Sequence, residues 1–226
     1  MKKPRETGLN KTSAWNSVDR KSVDRFAAEY MSVIRDAKTE REFVEAVATI
    51  AQAEGYTSVD PLSRKAFPKS DKLLFINRGK NAILVRLGKH PLEDGVTMVA
   101  AHVDAPRIDV KQNPLFESTG LALFQTHYYG GIKKYQWVTI PLALHGVVFD
   151  KNGRKLQLRI GEDETDPVFS ISDILPHLGQ AQAEKKLSEG VAGEALDAIV
   201  GHIPSADKNE KTPVKAFGSG GPRAFD

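Results

Sequence analysis

Residues 95–106 read Gly-Val-Thr-Met-Val-Ala-Ala-His-Val-Asp-Ala-Pro, and the predicted fold class depends on them. Its first part, residues 95–101, is an apolar run that follows an Asp-Gly turn and precedes a proline, which is typical of a strand buried on both faces of a sheet. His102 and Asp104 stand at the end of this run. Ligands of open α/β sheets bind beyond the carboxyl ends of the strands, so both residues lie where a site is expected.

The chemistry of His102 and Asp104 has two interpretations. If the strand continues through them, their side chains project from the same face, because side chains alternate along a strand. A neutral imidazole can bind zinc, and a nearby carboxylate can then fix its tautomer and orientation. A histidine hydrogen-bonded to an aspartate at a strand end is also a common structural pair. The spacing alone leaves both interpretations open.

Two amphipathic helices are predicted before this strand. The first covers residues 22–37, where apolar side chains recur at three- and four-residue spacing. Thr39 and Glu42 have the spacing of a capping box and start the second helix, which Gly55 ends in a left-handed conformation. The stripe of the first helix consists of Val23, Phe26, Ala27, Tyr30, Met31 and Ile34. The predicted buried face of the second consists of Phe43, Val44, Val47, Ile50 and Ala51.

Short apolar runs predict strands on either side of the central stretch. Residues 73–77 and 82–87 are separated by Arg-Gly-Lys-Asn, the composition of a hairpin turn. Helices followed by such strands predict an α/β fold with flanking helices. After Ile108 the pattern changes to strand-like segments joined by turns, which predicts a β-rich region. These segments are residues 121–124, 137–144, 146–149 and 156–160.

The predicted organisation therefore has four parts. Residues 1–20 are polar and form an N-terminal arm, and residues 21–112 form the first part of an α/β domain. Residues 113–204 form the β-rich domain. Residues 205–226 are polar and rich in Lys, Gly and Pro, which predicts a disordered or truncated end.

Composition excludes several classes of partner. The 32 Lys and Arg residues are interleaved with 29 Asp and Glu residues, and the net charge of +3 forms no patch that would follow a nucleic acid backbone. With no cysteine, a bound metal must use His, Asp or Glu, which suits a reducing cytoplasm. The N-terminus has no apolar signal segment, and no run approaches the roughly 18 apolar residues of a membrane span. We therefore expect a cytoplasmic protein without nucleic acid or membrane partners.

Four motifs in order carry a resemblance to a known family. The motif around His102 and Asp104 is preceded by residues 77–80, Asn-Arg-Gly-Lys, and followed by residues 128–132 and 140–146, Tyr-Tyr-Gly-Gly-Ile and Ile-Pro-Leu-Ala-Leu-His-Gly. Together they resemble the aspartyl aminopeptidase and aminopeptidase I family of zinc exopeptidases. The resemblance implies a zinc-exopeptidase-like α/β sheet with an inserted β-rich domain that caps the site and joins subunits. It also implies peptide substrates and a homo-oligomer.

The same resemblance assigns roles to individual residues. It implies that His102 binds metal in a site of two zinc ions and that Asp104 is the supporting catalytic carboxylate. The family's general base is a Glu that precedes a zinc-binding Glu. This chain has no Glu-Glu pair, and nothing after Asp104 resembles the other ligand segments of the family. The match therefore fits the N-terminal portion of such an enzyme, and the chain alone is expected to bind zinc poorly.

The other histidines divide into one candidate and four structural or surface residues. His177 resembles the family position at which the inserted domain sends a histidine across the subunit interface towards substrate, although an ordinary surface histidine is the alternative. His127 and His145 flank strand-like segments and are expected to be hydrogen-bonded structural residues. His90 and His202 lie in polar surroundings and are expected to face solvent.

Two functions from different classes follow from these observations. The first is a zinc-dependent aminopeptidase, of which this chain would be a truncated N-terminal part. The second is a non-catalytic fragment that acts as an assembly or interaction module through its β-rich region. The ordered motifs favour the enzyme, whereas the missing Glu-Glu pair favours the module for the chain as it stands.

Overall fold

The computed structural model describes residues 13–63 and 68–203. The chain divides into two compact units, which we call unit 1, ending at Val103, and unit 2, beginning at Asp104. Both helices and sheets are present, so the predicted mixed α/β class is confirmed. The predicted arm and the predicted end, residues 1–20 and 205–226, lie largely or wholly outside the described residues. Within the described part of the chain, no helix is both long and apolar enough to cross a bilayer.

The two long helices of unit 1 begin at side-chain caps. Helix α1 is Arg20–Asp36, and the Asp19 carboxylate accepts the Ser22 backbone N–H at 3.0 Å. Helix α2 is Glu40–Ala53 and has the predicted capping box. The Thr39 Oγ1 accepts the Glu42 N–H at 3.3 Å, and the Glu42 carboxylate accepts the Thr39 N–H at 2.9 Å. Gly55 follows α2 with φ +85°, which confirms it as the left-handed residue after the helix.

The apolar stripe of α1 is present but exposed. No residue of α1 is buried, and Phe26, Tyr30 and Met31 are 70%, 59% and 63% exposed. In α2 the predicted face is buried at Val44 and Ala51. The prediction is wrong for Ile50, which is 52% exposed. The spacing of apolar residues thus located the helices correctly, but the described residues of unit 1 cover only part of their apolar surface.

A small sheet packs against α2. It consists of β1 (Thr57–Ser58), β2 (Lys72–Asn77) and β3 (Asn81–Arg86), with β1 parallel and β3 antiparallel to β2. The predicted hairpin is confirmed, and Arg78 and Gly79 turn it with φ of 53° and 65°. Leu73 and Leu74 of β2 lie with Val44 and Ala51 of α2 among the buried residues, and these four form the core of unit 1.

The prediction of a buried strand over residues 95–101 is wrong for this structure. These residues adopt no helix or strand, and Val96, Met98 and Val99 are 70%, 82% and 91% exposed. A strand exists only where a neighbour accepts and donates its backbone hydrogen bonds. Among the described residues, no strand is paired with this segment. The apolar pattern therefore has no sheet to join within the part of the chain that the structure describes.

Unit 2 contains a three-stranded sheet and a hairpin. Strands β4 (Arg107–Ser118), β5 (Leu121–Tyr129) and β8 (Ala198–Gly201) are antiparallel in the order β4-β5-β8. Strands β6 (Leu144–Phe149) and β7 (Lys155–Ile160) form the hairpin. The predicted strands at 121–124, 146–149 and 156–160 are confirmed. Most of the predicted strand at 137–144 is wrong, because β6 begins only at residue 144.

The core of unit 2 lies between its sheet and the segments that follow the hairpin. Ile171, Val191 and Leu196 are buried and in mutual contact, and partly buried side chains pack around them. These side chains are Ile108, Ile132, Tyr135, Val138, Leu142 and Ala198. The hydroxyl of Thr126, the one polar residue buried in the described chain, donates to the carbonyl of Leu196. The β-rich region thus has a core of its own. A short helix, α3 (Gln180–Ala183), lies on its surface.

Candidate functional site

The most defined arrangement around the predicted site lies where β4 begins and β5 ends. Arg107 of β4 pairs with Tyr129 of β5 in the antiparallel register. The Tyr129 hydroxyl donates to Oδ2 of Asp104 at 2.9 Å. The Arg107 guanidinium lies over the Tyr129 ring, 4.2 Å from its centroid, and Arg107 Nε donates to Asp109 Oδ1 at 2.7 Å. Asp104 is thus held by a tyrosine that is itself covered by an arginine.

The local sequence explains this arrangement. Residues 107–110 and 126–129 pair in continuous register, which places the last residue of β5 beside the first residue of β4. Gly130 then takes φ +76°, a conformation that glycine adopts without the steric cost of a side chain, and the chain leaves the sheet. The Tyr-Tyr-Gly-Gly motif therefore marks a strand end followed by a turn, and its second tyrosine contacts Asp104.

His102 lies in the segment without secondary structure and is exposed. Residues 13–63 and 68–203 contain no group of three or more His, Asp or Glu side chains that could hold a metal ion. A catalytic zinc ion takes about three protein ligands. The donors that the structure describes therefore do not by themselves form a complete zinc site. His102 remains a predicted ligand.

His177 lies in a different loop of unit 2. It is exposed within a turn, in which the Leu178 N–H donates to the Leu175 carbonyl at 2.9 Å. Its neighbours are apolar and exposed, with Leu175 at 65% and Leu178 at 76%. The structure thus links Asp104 to Tyr129 and places His177 on the separate loop that precedes α3. The surroundings of His177 are those of an apolar surface rather than of a polar cluster.

The remaining histidines fit structural or surface roles. His145 Nε2 lies 2.8 Å from Glu162 Oε1, and the imidazole is 5% exposed, which confirms it as a hydrogen-bonded structural residue. The ring of His127 stacks on that of Tyr128 with centroids 5.7 Å apart. His90 and His202 are exposed, as predicted.

Two carboxylates of unit 2 have pKa values set by identifiable partners. A hydrogen bond from Lys111 lowers the pKa of Glu194, and the charge of Lys111 acts in the same direction. Backbone N–H groups of Gly161 and Asp163 lower the pKa of Asp166, because both stabilise its charged form. The acidic segment around Asp166 is therefore a loop tied to its own backbone.

Sequence reasoning missed Arg107 and Tyr129 as parts of this site. The strand β4 that carries Arg107 was not predicted, so its pairing with β5 could not be inferred. The signal that could have found Tyr129 is the strand-like segment from 121 onward, extended through Thr126 to the glycines.

Comparison with known proteins gives a family match over most of the chain. Residues 33–218 match the family described as aminopeptidase I zinc metalloprotease (M18). A probable M18 family aminopeptidase 1 of Clostridium acetobutylicum is 45% identical over 208 residues, which are 90% of this chain and 45% of the relative. The corresponding protein of Thermotoga maritima is 40% identical over 207 residues, 92% of this chain and 45% of the relative.

Solved structures agree with the sequence comparison. The M18 aminopeptidase of T. maritima superposes with a TM-score of 0.81 at 38% identity, covering 93% of this chain and 46% of that structure. Aminopeptidase I of C. acetobutylicum gives 0.76 at 39% identity, covering 91% and 46%. The mApe1 dodecamer of S. cerevisiae gives 0.58 at 20% identity, covering 82% and 40%, a likeness of fold alone. The chain spans just under half the length of the relatives that it matches.

Proposed function

We propose that this chain, which belongs to the M18 family of zinc metalloproteases and corresponds to the N-terminal half of the family's aminopeptidases, is part of a zinc-dependent aminopeptidase. Such an enzyme removes N-terminal amino acids from peptides. The observation that carries the proposal is the family match over residues 33–218, because this range includes His102 and Asp104 in their motif. The alternative of a non-catalytic assembly module is not favoured by this match.

Within this enzyme we propose three residue roles. His102 binds zinc, Asp104 is the supporting carboxylate, and His177 contacts substrate. The hydrogen bond from Tyr129 supports the role of Asp104, since a catalytic carboxylate must be held in one orientation. The described donors do not form a complete zinc site. We propose that the remaining ligands of a two-zinc site come from polypeptide that corresponds to the other half of the family's enzymes.

We propose that the β-rich region caps the site and joins subunits of a homo-oligomer in the cytoplasm. The exposed apolar residues Leu175 and Leu178 beside His177 support an interface at this loop, because exposed apolar patches mark association sites. The absence of cysteine supports a reducing compartment. Light scattering on the chain joined to the C-terminal half of the C. acetobutylicum relative tests the assembly. A monomer at high protein concentration would contradict it.

The activity is tested by restoring a full-length enzyme. The 226-residue chain is joined to the C-terminal half of the C. acetobutylicum relative, and hydrolysis of aminoacyl chromogenic substrates is followed with added zinc. We expect the joined protein to be active and the chain alone to be inactive. His102→Ala in the joined protein should abolish activity and lower the zinc content measured by mass spectrometry.

The intact C. acetobutylicum relative, assayed in parallel, is the positive control. A joined protein that is folded by circular dichroism and runs as a discrete species, yet shows no hydrolysis where the relative does, would contradict the proposed function. Co-expression of the two halves as separate chains provides a second preparation if the junction disturbs folding.

A further inference from the structure

Asp104 occupies a position where the backbone does not fix its side chain. It lies outside every strand, three residues before β4 begins. In a strand, the alternation of the pleat sets the direction of each side chain, whereas an irregular segment leaves that direction to side-chain contacts. A carboxylate with a defined task in such a segment therefore needs a partner that holds it.

Tyr129 supplies a hydrogen bond of this kind from the opposite strand. Its hydroxyl donates to Asp104 Oδ2 at 2.9 Å across 25 positions of sequence. The pairing of β4 with β5 holds Tyr129 in place through the backbone, so the hydroxyl is not needed to join the strands. The tyrosine is 40% exposed, and its ring is therefore not a core element of unit 2 either. Its hydroxyl is in direct contact with the carboxylate.

The Tyr129 ring is itself restrained. The guanidinium of Arg107 lies 4.2 Å from the ring centroid, and its Nε is bound to the Asp109 carboxylate at 2.7 Å. A guanidinium stacked on an aromatic face restricts the ring, and its second contact fixes the guanidinium in turn. Asp109, Arg107, Tyr129 and Asp104 thus form a chain of contacts that begins on β4 and ends at the carboxylate.

We propose that Tyr129 is a positioning residue, which holds the Asp104 carboxylate in a single rotamer for the peptidase reaction. Arg107 acts through the Tyr129 ring. The inference rests on the proposed function, because it takes Asp104 to be the supporting carboxylate, and it adds a role that the His-x-Asp motif does not contain. A structural role for Tyr129 would instead affect the pairing of β4 and β5.

The first experiment measures the side chain of Asp104 directly in the full 226-residue chain. Three-bond couplings in a protein with isotope-labelled aspartate report the χ1 rotamers of Asp104. Tyr129→Phe removes one oxygen and keeps the ring under Arg107. Tyr128→Phe is the matched control, because it makes the same change next door, where the ring packs against Gly193 and stacks on His127.

We expect one dominant rotamer in the wild type and in Tyr128→Phe, and rotamer averaging in Tyr129→Phe with unchanged backbone amide shifts in β4 and β5. Identical couplings in wild type and Tyr129→Phe would overturn the proposal. Loss of the β4 and β5 amide shifts in Tyr129→Phe would also overturn it, because the hydroxyl would then hold the fold and not only the carboxylate.

The second experiment measures kinetics in the joined protein. Tyr129→Phe should lower kcat about tenfold with little change in KM, as expected for loss of one hydrogen bond to a charged group that matters in the transition state. Tyr128→Phe should leave both constants unchanged. Equal kcat in the two variants would overturn the positioning role. If the joined protein without substitutions is inactive, the proposed function is contradicted. The rotamer measurement does not depend on activity, so it still tests separately whether Tyr129 positions Asp104.

Discussion

Unit 1 and unit 2 differ in how their apolar residues are used. In unit 2, Ile171, Val191 and Leu196 come from irregular segments and pack into one buried cluster. In unit 1, the most regular apolar patterns of the chain, the α1 stripe and residues 95–101, are exposed. An apolar pattern therefore predicts that a surface is to be covered, but it does not say which polypeptide covers it. The apolar residues of unit 2 that lack a regular pattern are buried within the described chain. The regularly spaced apolar residues of α1 and of residues 95–101 are not.

Truncation of a core leucine tests whether the buried cluster stabilises unit 2. Leu196 is fully buried, so Leu196→Ala should destabilise unit 2 by about 2–5 kcal/mol through lost burial and the cavity that remains. Leu187→Ala, at a position that is 66% exposed, is the matched control and should stay within about 0.5 kcal/mol. Urea denaturation read by hydrogen exchange in β5 measures both. Equal stability of the two variants would show that the buried cluster does not hold unit 2 together.

Adding the polypeptide of a relative's C-terminal half tests whether the exposed apolar residues of unit 1 become covered. When the chain is joined to the C-terminal half of the C. acetobutylicum relative, residues 95–101 should become a paired strand. Their amide exchange should slow by about tenfold or more, because paired backbone groups exchange only through opening. Hydrogen exchange with mass spectrometry compares the joined protein with the chain alone. Unchanged exchange at Val99 in an active joined protein would contradict this prediction, because residues 95–101 would then remain unpaired.

A helix cap in unit 1 gives a smaller effect. Thr39→Ala removes the side-chain half of the capping box and should cost about 1 kcal/mol of unfolding free energy. Thr49→Ala, in the middle of the same helix, is the control. The Thr49 hydroxyl donates to the Glu45 carbonyl, and its loss should be neutral or slightly stabilising because alanine favours helix. Both are read from urea denaturation curves, and a greater loss in Thr49→Ala would contradict this account.

The smallest expected effect concerns pH and a loop of unit 2. The Gly161 and Asp163 N–H groups lower the folded-state pKa of Asp166, so the ionised carboxylate contributes stability above its unfolded pKa, near 3.8. That contribution is lost as the pH falls through the lower folded pKa. Asp166→Asn should therefore weaken the pH dependence of stability below about pH 4, whereas Glu164→Gln controls for the loss of a loop charge. Thermal unfolding between pH 2 and 7 measures this, and identical curves for both variants would exclude the role of Asp166.

Local features of the fold were predictable from the sequence. The capping box of Thr39 and Glu42, the left-handed Gly55 and the turn at Gly79 each depend on residues a few positions apart, and all three are present. Strand β4 was missed for a physical reason. Its polar sequence contains Pro114, which cannot donate to a ladder, and the register of β4 with β5 shifts between Val110 and Leu115 around it. Its partner β5 follows after a two-residue turn at Thr119 and Gly120, but the register shift interrupts the regular alternation by which such a hairpin is recognised.

The residues of the candidate site that belong to a sequence motif were predictable, whereas the residue that the fold brings next to them was not. His102 and Asp104 follow from the four ordered motifs, and their roles remain predictions. Tyr129 reaches Asp104 because residues 107–110 of β4 pair with residues 126–129 of β5, which brings together residues 25 positions apart. The strand at residues 95–101 failed for the related reason that pairing requires a neighbour. Contacts between distant segments are the part that composition and periodicity do not determine.

The register shift around Pro114 has a consequence for solubility. Within the described sheet β4 is an outer strand, and such strands offer unpaired backbone groups to which other molecules can add strands in a growing aggregate. Pro114 lacks the N–H that this addition requires, and the shifted register interrupts the regular spacing of the other backbone groups. The outer edge of the described sheet therefore carries features that disfavour the addition of strands from other copies of the chain.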